Sequence, residues 1–148
     1  MNLQKMTLNI NGADRTFICN PETDIESATV DTSFLGQRPL TVKWIKEPVL
    51  QFDEGQEAQV VRSCTRKISR IKEYSTVITI EGIGTVRNPH PLQYAWVNLG
   101  AVQCGFCVPG FVVSAYQLLE ENNNPTREEV RDWFQKHRNV CRCTGYKH

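Results

Sequence analysis

Four of the six cysteines in this chain fall in two tight groups, Cys104-Gly-Phe-Cys107 and Cys141-Arg-Cys143, separated by a stretch long enough to hold helices. No other feature constrains the fold as much, because a tetrathiolate metal site forms only if the fold brings two sulfur-bearing turns face to face. Three chemistries compete for these thiols. Disulfides need an export route, and Met1 to Ile10 alternates polar and apolar residues without the continuous apolar run of a secretory signal. The expectation is therefore unpaired thiols and a cytoplasmic location. Structural zinc accepts four cysteines, but its usual pairs enclose at least two residues, and Cys141-Arg-Cys143 is tight for that. An iron–sulfur cluster accepts the tight pair, because its ligands are shared between two irons and bridging sulfides set the reach.

The residues beside the first pair add to this. Val108-Pro109-Gly110-Phe111 opens a helix, since proline suits a first-turn position where no amide donor is required. Cys107 then stands at or just before a helix amino terminus, where unpaired amides and the positive end of the macrodipole favour thiolates and a net-negative cluster. Gly105 lets backbone approach sulfur closely, or is an ordinary turn glycine.

The length of 148 residues suits one or two small domains, and a formal charge of +1 makes no case for nucleic acid or an anionic membrane as partner. No stretch reaches transmembrane length, and phosphate-binding glycine loops are absent. Leu8 and Ile10, then Asn11-Gly12, then Phe17 and Ile18 predict a hairpin, because Asn-Gly supplies the positive φ angles of a primed turn. Cys19 at its end reads as a buried small hydrophobe rather than a ligand. Pro21-Glu-Thr-Asp24 is a turn. Arg66, Lys67, Arg70 and Lys72 read as a solvated face, Tyr74 to Glu81 as a strand, and the segment on to His90 as a connection.

Three helices are predicted after it. Pro91 to Leu99 has Leu92, Ala95, Trp96 and Leu99 at helical spacing, a core stripe. Pro109 to Glu121 is apolar over a wide arc and therefore central. Thr126-Arg-Glu-Glu129 is a capping box, and Val130, Trp133, Phe134 and His137 continue that helix on one face. His137 reads as a packed or surface side chain, since four cysteines already suffice for a metal.

Three runs carry a resemblance to a known family: Gln103-Cys-Gly-Phe-Cys-Val-Pro-Gly-Phe-Val-Val-Ser-Ala115, Asn124-Pro-Thr-Arg-Glu-Glu-Val130 and Asn139-Val-Cys-Arg-Cys-Thr-Gly-Tyr146. They resemble the second iron–sulfur domain of the molybdenum hydroxylases, the xanthine oxidase family, and Arg131-Asp-Trp-Phe-Gln-Lys-His-Arg138 looks most like its bacterial aldehyde oxidoreductase branch. The matching text runs from about Val60 to the end. The resemblance implies an α+β chain, with a plant-ferredoxin-like β-grasp domain over 1–81 and an all-α helical-bundle domain over 82–148. It implies a [2Fe-2S] cluster on Cys104, Cys107, Cys141 and Cys143, with Gln103 and Cys143 also touching the molybdopterin of a large catalytic subunit or domain. The role implied is electron transfer within a molybdenum-containing oxidoreductase of aldehydes or heterocycles, on to a flavin subunit or an external electron acceptor. No acid–base pair or nucleophile for the hydroxylation itself is evident in this chain. A zinc-stapled interaction module without redox activity is the alternative.

Two features depart from the family. Its first domain binds a second [2Fe-2S] cluster through three closely spaced cysteines and a later fourth; Cys64 matches the fourth, but Lys43 to Asp53 contains no cysteine, and one thiol cannot hold a cluster. Either this domain kept its fold and lost the cofactor, or residues 26–59 lie between two compensating reading-frame errors. Entered at the last base of the Trp44 codon, the run Trp-Ile-Lys-Glu-Pro-Val can encode Asp-Lys-Gly-Ala-Gly, which resembles the family's cluster loop. The second departure is the stop at His148, where the family continues into a fourth helix, so that a chain cut short or a covering partner is expected.

Overall fold

A computed structural model describes residues 2–30, 42–46 and 59–143. The chain divides into two units, Met1–Thr79 and Ile80–His148. Most of 26–59, including the stretch for which degeneration and frame errors compete, lies outside the described residues, as do 144–148 with Tyr146.

The first unit is built on the hairpin read from Asn-Gly. Strands β1 (Gln4–Ile10) and β2 (Ala13–Cys19) pair antiparallel with Ile10 opposite Ala13. Asn11 and Gly12 take φ of 51° and 85°, the two positive angles a primed turn demands. Strands β3 (Val42–Lys46), β4 (Gln59–Arg62) and β5 (Thr76–Ile78) complete a sheet in the order β2-β1-β5-β3-β4. The β1–β5 pair is parallel; the others are antiparallel. Period-two alternation puts Met6, Leu8 and Ile10 on one face, against Phe17 and Cys19 of β2, Ile25 and Ala28 of helix α1 (Ile25–Val30), and Ile68, Ile71 and Val77. On the other face Thr7 and Thr16 sit opposite each other, their hydroxyls 2.9 Å apart. Asp24 caps α1, accepting from the Ser27 amide at 2.8 Å and the Ser27 hydroxyl at 2.9 Å. Cys19 is buried, as its apolar reading required, and burial pushes its thiol pKa up.

The expected strand over Tyr74–Glu81 is confined to Thr76–Ile78, and Ile80–Ile83 turns into a short helix, α2. The side chain of Asn11 is the reason. Its Oδ1 accepts from the Thr79 amide and its Nδ2 donates to the Thr79 hydroxyl, both at 2.9 Å, so the hairpin turn takes hold of the chain where the strand ends. Asn11→Ala removes both bonds to a fully buried residue and places alanine at a positive φ. The expected cost is about 2 to 3 kcal/mol, read as a lowered urea midpoint, while Asn11→Asp, which keeps the acceptor, loses less.

The second unit contains α2, α3 (Pro91–Asn98), α4 (Val108–Glu121) and α5 (Arg127–Lys136). His90 and Gln93 form a capping box at the start of α3. Gly84 lies under it: a Cβ there would stand 2.3 Å from Gln93 Oε1 and 2.5 Å from the His90 backbone nitrogen, so only glycine fits. The predicted box at Thr126 and Glu129 opens α5, and the Thr126 amide and hydroxyl hold the Glu129 carboxyl below its ordinary pKa. Helix α4 is central as expected, burying Phe111, Val112, Val113, Ala115 and Leu118. Helix α5 is pinned to it by Trp133, whose indole N–H reaches Ser114 O at 2.9 Å and Ser114 Oγ at 3.0 Å. Trp96, Phe111 and Phe134 meet edge-on or tilted, with ring centroids 4.9 to 6.3 Å apart.

The stripe read on α3 holds only in part. Leu92 and Trp96 are half-buried, but Ala95 is exposed and Leu99 is 68 % exposed. Trp96 reaches Phe111 and Phe134, and Leu99 falls at the helix cap, where the chain turns away.

Candidate metal centre

Both sulfur-bearing loops are launched by the same backbone device. At the end of α3, Gly100 adopts φ 69°, its amide bonds Val97 O, and the Ala101 amide bonds Trp96 O. At the end of α5, Arg138 adopts φ 53°, its amide bonds Gln135 O, and the Asn139 amide bonds Phe134 O. Each is a Schellman turn, which satisfies the last carbonyls of a helix while reversing the chain. One delivers Cys104 and Cys107, the other Cys141 and Cys143. Gly100 was open to prediction as a helix-ending glycine; Arg138, in a conformation arginine rarely takes, was not.

Cys107 is the N-cap of α4, with Pro109 in the first turn, where the local sequence placed them. Gly105 takes φ 77°, and a Cβ there would meet nothing within 4 Å, so glycine serves the positive φ rather than close packing against protein. Cys141 is buried, Cys107 and Cys143 are half-buried, Cys104 is exposed, and none of the six cysteines is joined in a disulfide.

The four thiols converge in two pairs. Cys104 and Cys143 are hydrogen-bonded through their side chains, as are Cys107 and Cys141, and Cys141 lies near enough to Cys104 and Cys143 for its thiolate to oppose their ionisation. Their acidities diverge. The Phe106 amide, then the Cys143 thiol, hold Cys104 below the ordinary thiol range. Burial, then Cys141, push Cys107 up to about 11, and Cys143 is raised chiefly by Cys104. In metal-free protein at pH 8 Cys107 is then about one part in a thousand thiolate, so iodoacetamide is expected to label Cys104 first and Cys107 far later. Peptide mapping over time checks the order; equal labelling would contradict it.

Among the described residues, no three His, Cys, Asp or Glu side chains form a group compact enough for a single metal ion. A two-plus-two arrangement suits a binuclear centre better than one tetrahedral ion, since each iron needs two protein sulfurs and the bridging sulfides fill the space between. The Phe106 amide favours negative charge at Cys104, and at Cys107 the amino terminus of α4 works against the larger effect of burial, so the donor set fits an iron–sulfur cluster, whose irons would supply the positive charge that a half-buried thiolate needs. Gln103 is also at the site: its Nε2 donates to Cys143 O at 2.8 Å, a bond that nothing in the spacing of the residues announces. Cys64 belongs to the first unit, exposed in the turn after β4. His137 caps α5, its ring over Trp133 at 4.2 Å and its Nδ1 2.8 Å from Trp133 O, the packed role expected of it.

Comparison with known proteins identifies the family. The family described as [2Fe-2S] binding domain matches residues 79–148. An aldehyde oxidoreductase of Megalodesulfovibrio gigas is 59% identical over 91 residues, 62% of this chain but 10% of the relative. The small FeS subunit of nicotinate dehydrogenase from Eubacterium barkeri is 32% identical over 151 residues, covering 99% of this chain and 90% of the subunit. The solved aldehyde oxidoreductase of Desulfovibrio gigas superposes with a TM-score of 0.82 at 38% identity, over 97% of this chain and 16% of that one. The chain thus spans a small part of the large oxidoreductases and nearly all of a separate iron–sulfur subunit. With its thiols paired across two helix-launched loops and its length shared with that subunit, the chain belongs to the iron–sulfur domains and subunits of the molybdenum hydroxylase family.

Proposed function

We propose that this chain is the electron relay of a molybdenum hydroxylase, with Cys104, Cys107, Cys141 and Cys143 holding a [2Fe-2S] cluster. The observation that carries the reading is that two distant loops meet, Gln103 of one bonding Cys143 O of the other at 2.8 Å, and bring Cys104 beside Cys143 and Cys107 beside Cys141. Such a cluster, when bound, takes up and gives back one electron with little ligand movement. The protein's own work is to fix the sulfurs and set the local charge. Two Schellman turns place the loops, the Phe106 amide stabilises negative charge on Cys104, and burial of Cys141 keeps water from that side of the site.

The molybdopterin belongs to a large partner subunit or domain in this reading, and substrate oxidation takes place there. Gln103 and Cys143, at the exposed mouth of the site, stand at the positions that contact the pterin by resemblance. A flavin subunit or an external acceptor receives the electrons. In this reading residues 1–81 form a ferredoxin-like β-grasp domain and 82–148 the helical domain, two residues beyond the division between the compact units at Thr79, and Cys64 is the remnant or outlying ligand of a second cluster. Three further ligands would have to come from 26–59, where this sequence has no cysteine. Intact mass separates the two explanations: agreement with this sequence ends the frame-error reading. Free thiols fit a cytoplasmic location; among the described residues no helix is long and apolar enough to cross a membrane.

Metal and sulfide analysis with electron paramagnetic resonance tests the relay. A red-brown protein with acid-labile sulfide and a signal on reduction supports it. A colourless protein with one zinc sinks it in favour of a structural staple.

A further inference from the structure

We infer that Gln103 is a positioning residue that latches the two sulfur-bearing loops together and holds Cys104 beside Cys143, an inference that rests on the reading of the four thiols as cluster ligands. The residue immediately before Cys104 donates from Nε2 to the backbone oxygen of Cys143, at 2.8 Å, across 40 positions of sequence. A carbonyl only accepts, so the carboxamide must turn its nitrogen toward it. The Schellman turns at Gly100 and Arg138 set where each loop begins, but each acts within its own helix end. The Gln103 bond runs between the loops. It lies next in sequence to one thiol and on the backbone of the other, in the pair whose side chains hydrogen-bond to each other.

The chemistry of the bond dictates which replacements fail. Leucine keeps the bulk and loses the donor. Glutamate keeps the length but turns an oxygen toward an oxygen. Asparagine is shorter by about 1.5 Å and cannot span the gap unless a loop moves. Gln103 is exposed, so none of these changes opens the core.

The test uses the full chain as wild type, Gln103→Leu and Gln103→Glu, with far-ultraviolet circular dichroism to check the fold. Iron loss to a chelator is followed by visible absorption, and the reduced protein by paramagnetic resonance. Both variants are expected to release iron about fivefold faster, the factor carried by one net hydrogen bond of about 1 kcal/mol, and to show an altered line shape. Release rates and spectra that superimpose on wild type overturn the latch.

A second measurement works on metal-free protein. Diamide takes two protons and two electrons from the Cys104 and Cys143 thiols, which join as one disulfide while its azo bond is reduced to a hydrazine. The cross-linked peptide, counted by mass spectrometry, is expected to form about fivefold more slowly in Gln103→Leu, and equal rates overturn the latch. If wild type takes up no iron and sulfide, the relay reading falls alone, and the oxidation rates still decide the role of Gln103.

Discussion

Cys141→Ser is expected to reduce the bound iron, labile sulfide and visible absorption of the helical unit to background. Cys141 is the most buried of the four thiols, and its sulfur interacts with all three others. A serine hydroxyl does not ionise in the range where a thiol does, and its shorter side chain lacks the polarisable sulfur that iron–sulfur chemistry requires. The loss is therefore close to complete rather than graded. Cys64→Ser, in the other unit, leaves the helical unit's signal in place. Circular dichroism separates loss of cofactor from loss of fold. A Cys141→Ser protein that kept its iron and spectrum would remove this residue from the ligand set.

Phe111→Ala is the change expected to cost the fold most. The side chain is 3 % exposed and stands between Trp96 and Phe134, with ring centroids 5.9 and 4.9 Å away. Deleting a buried phenyl ring costs about 3 to 5 kcal/mol through lost burial and the cavity left behind. A unit of this size has roughly 3 to 10 kcal/mol of stability in all, so the variant is expected to lose fixed tertiary structure in much of its population at 37 °C. Near-ultraviolet circular dichroism of Trp96 and Trp133 reads this directly. Phe111→Leu, which keeps most of the volume, is expected to lose about 1 kcal/mol and keep the signal. A melting curve for Phe111→Ala that superimposed on wild type would show that α4 is not the centre of this unit.

The two changes probe different links. Cys141→Ser removes a proposed ligand from an intact scaffold, whereas Phe111→Ala loosens the packing on which the meeting of the loops depends. Phe111 and Phe134 touch, and the Schellman turn that launches Cys141 and Cys143 closes on Phe134 O. Cofactor loss in Phe111→Ala is therefore expected to accompany the tertiary transition, not precede it.

Elements whose partners are neighbours in the chain were legible beforehand. Asn11-Gly12 forms the hairpin because both positive φ angles belong to adjacent residues. Thr126 and Glu129 form their capping box because both partners sit in one turn. Cys107 heads α4 for the same reason, with Pro109 two residues on. The reading failed where the answer lay on another element. Ala95 and Leu99 share helical spacing with Trp96 but not its partners, and they are left in solvent. The strand expected to run through Glu81 stops early because Asn11, 68 positions away, captures Thr79.

Sequence alone thus determined that two sulfur pairs exist, that one of them opens a helix and that an Asn-Gly hairpin begins the chain, because covalent spacing and local backbone preference operate over a few residues. Tertiary structure decided that Cys104 meets Cys143, that Cys107 meets Cys141 and that Gln103 joins the two loops. Those contacts exist only once α4 and α5 are packed through Phe111, Phe134 and the Trp133–Ser114 bonds, and no local propensity encodes where the ends of two packed helices will fall.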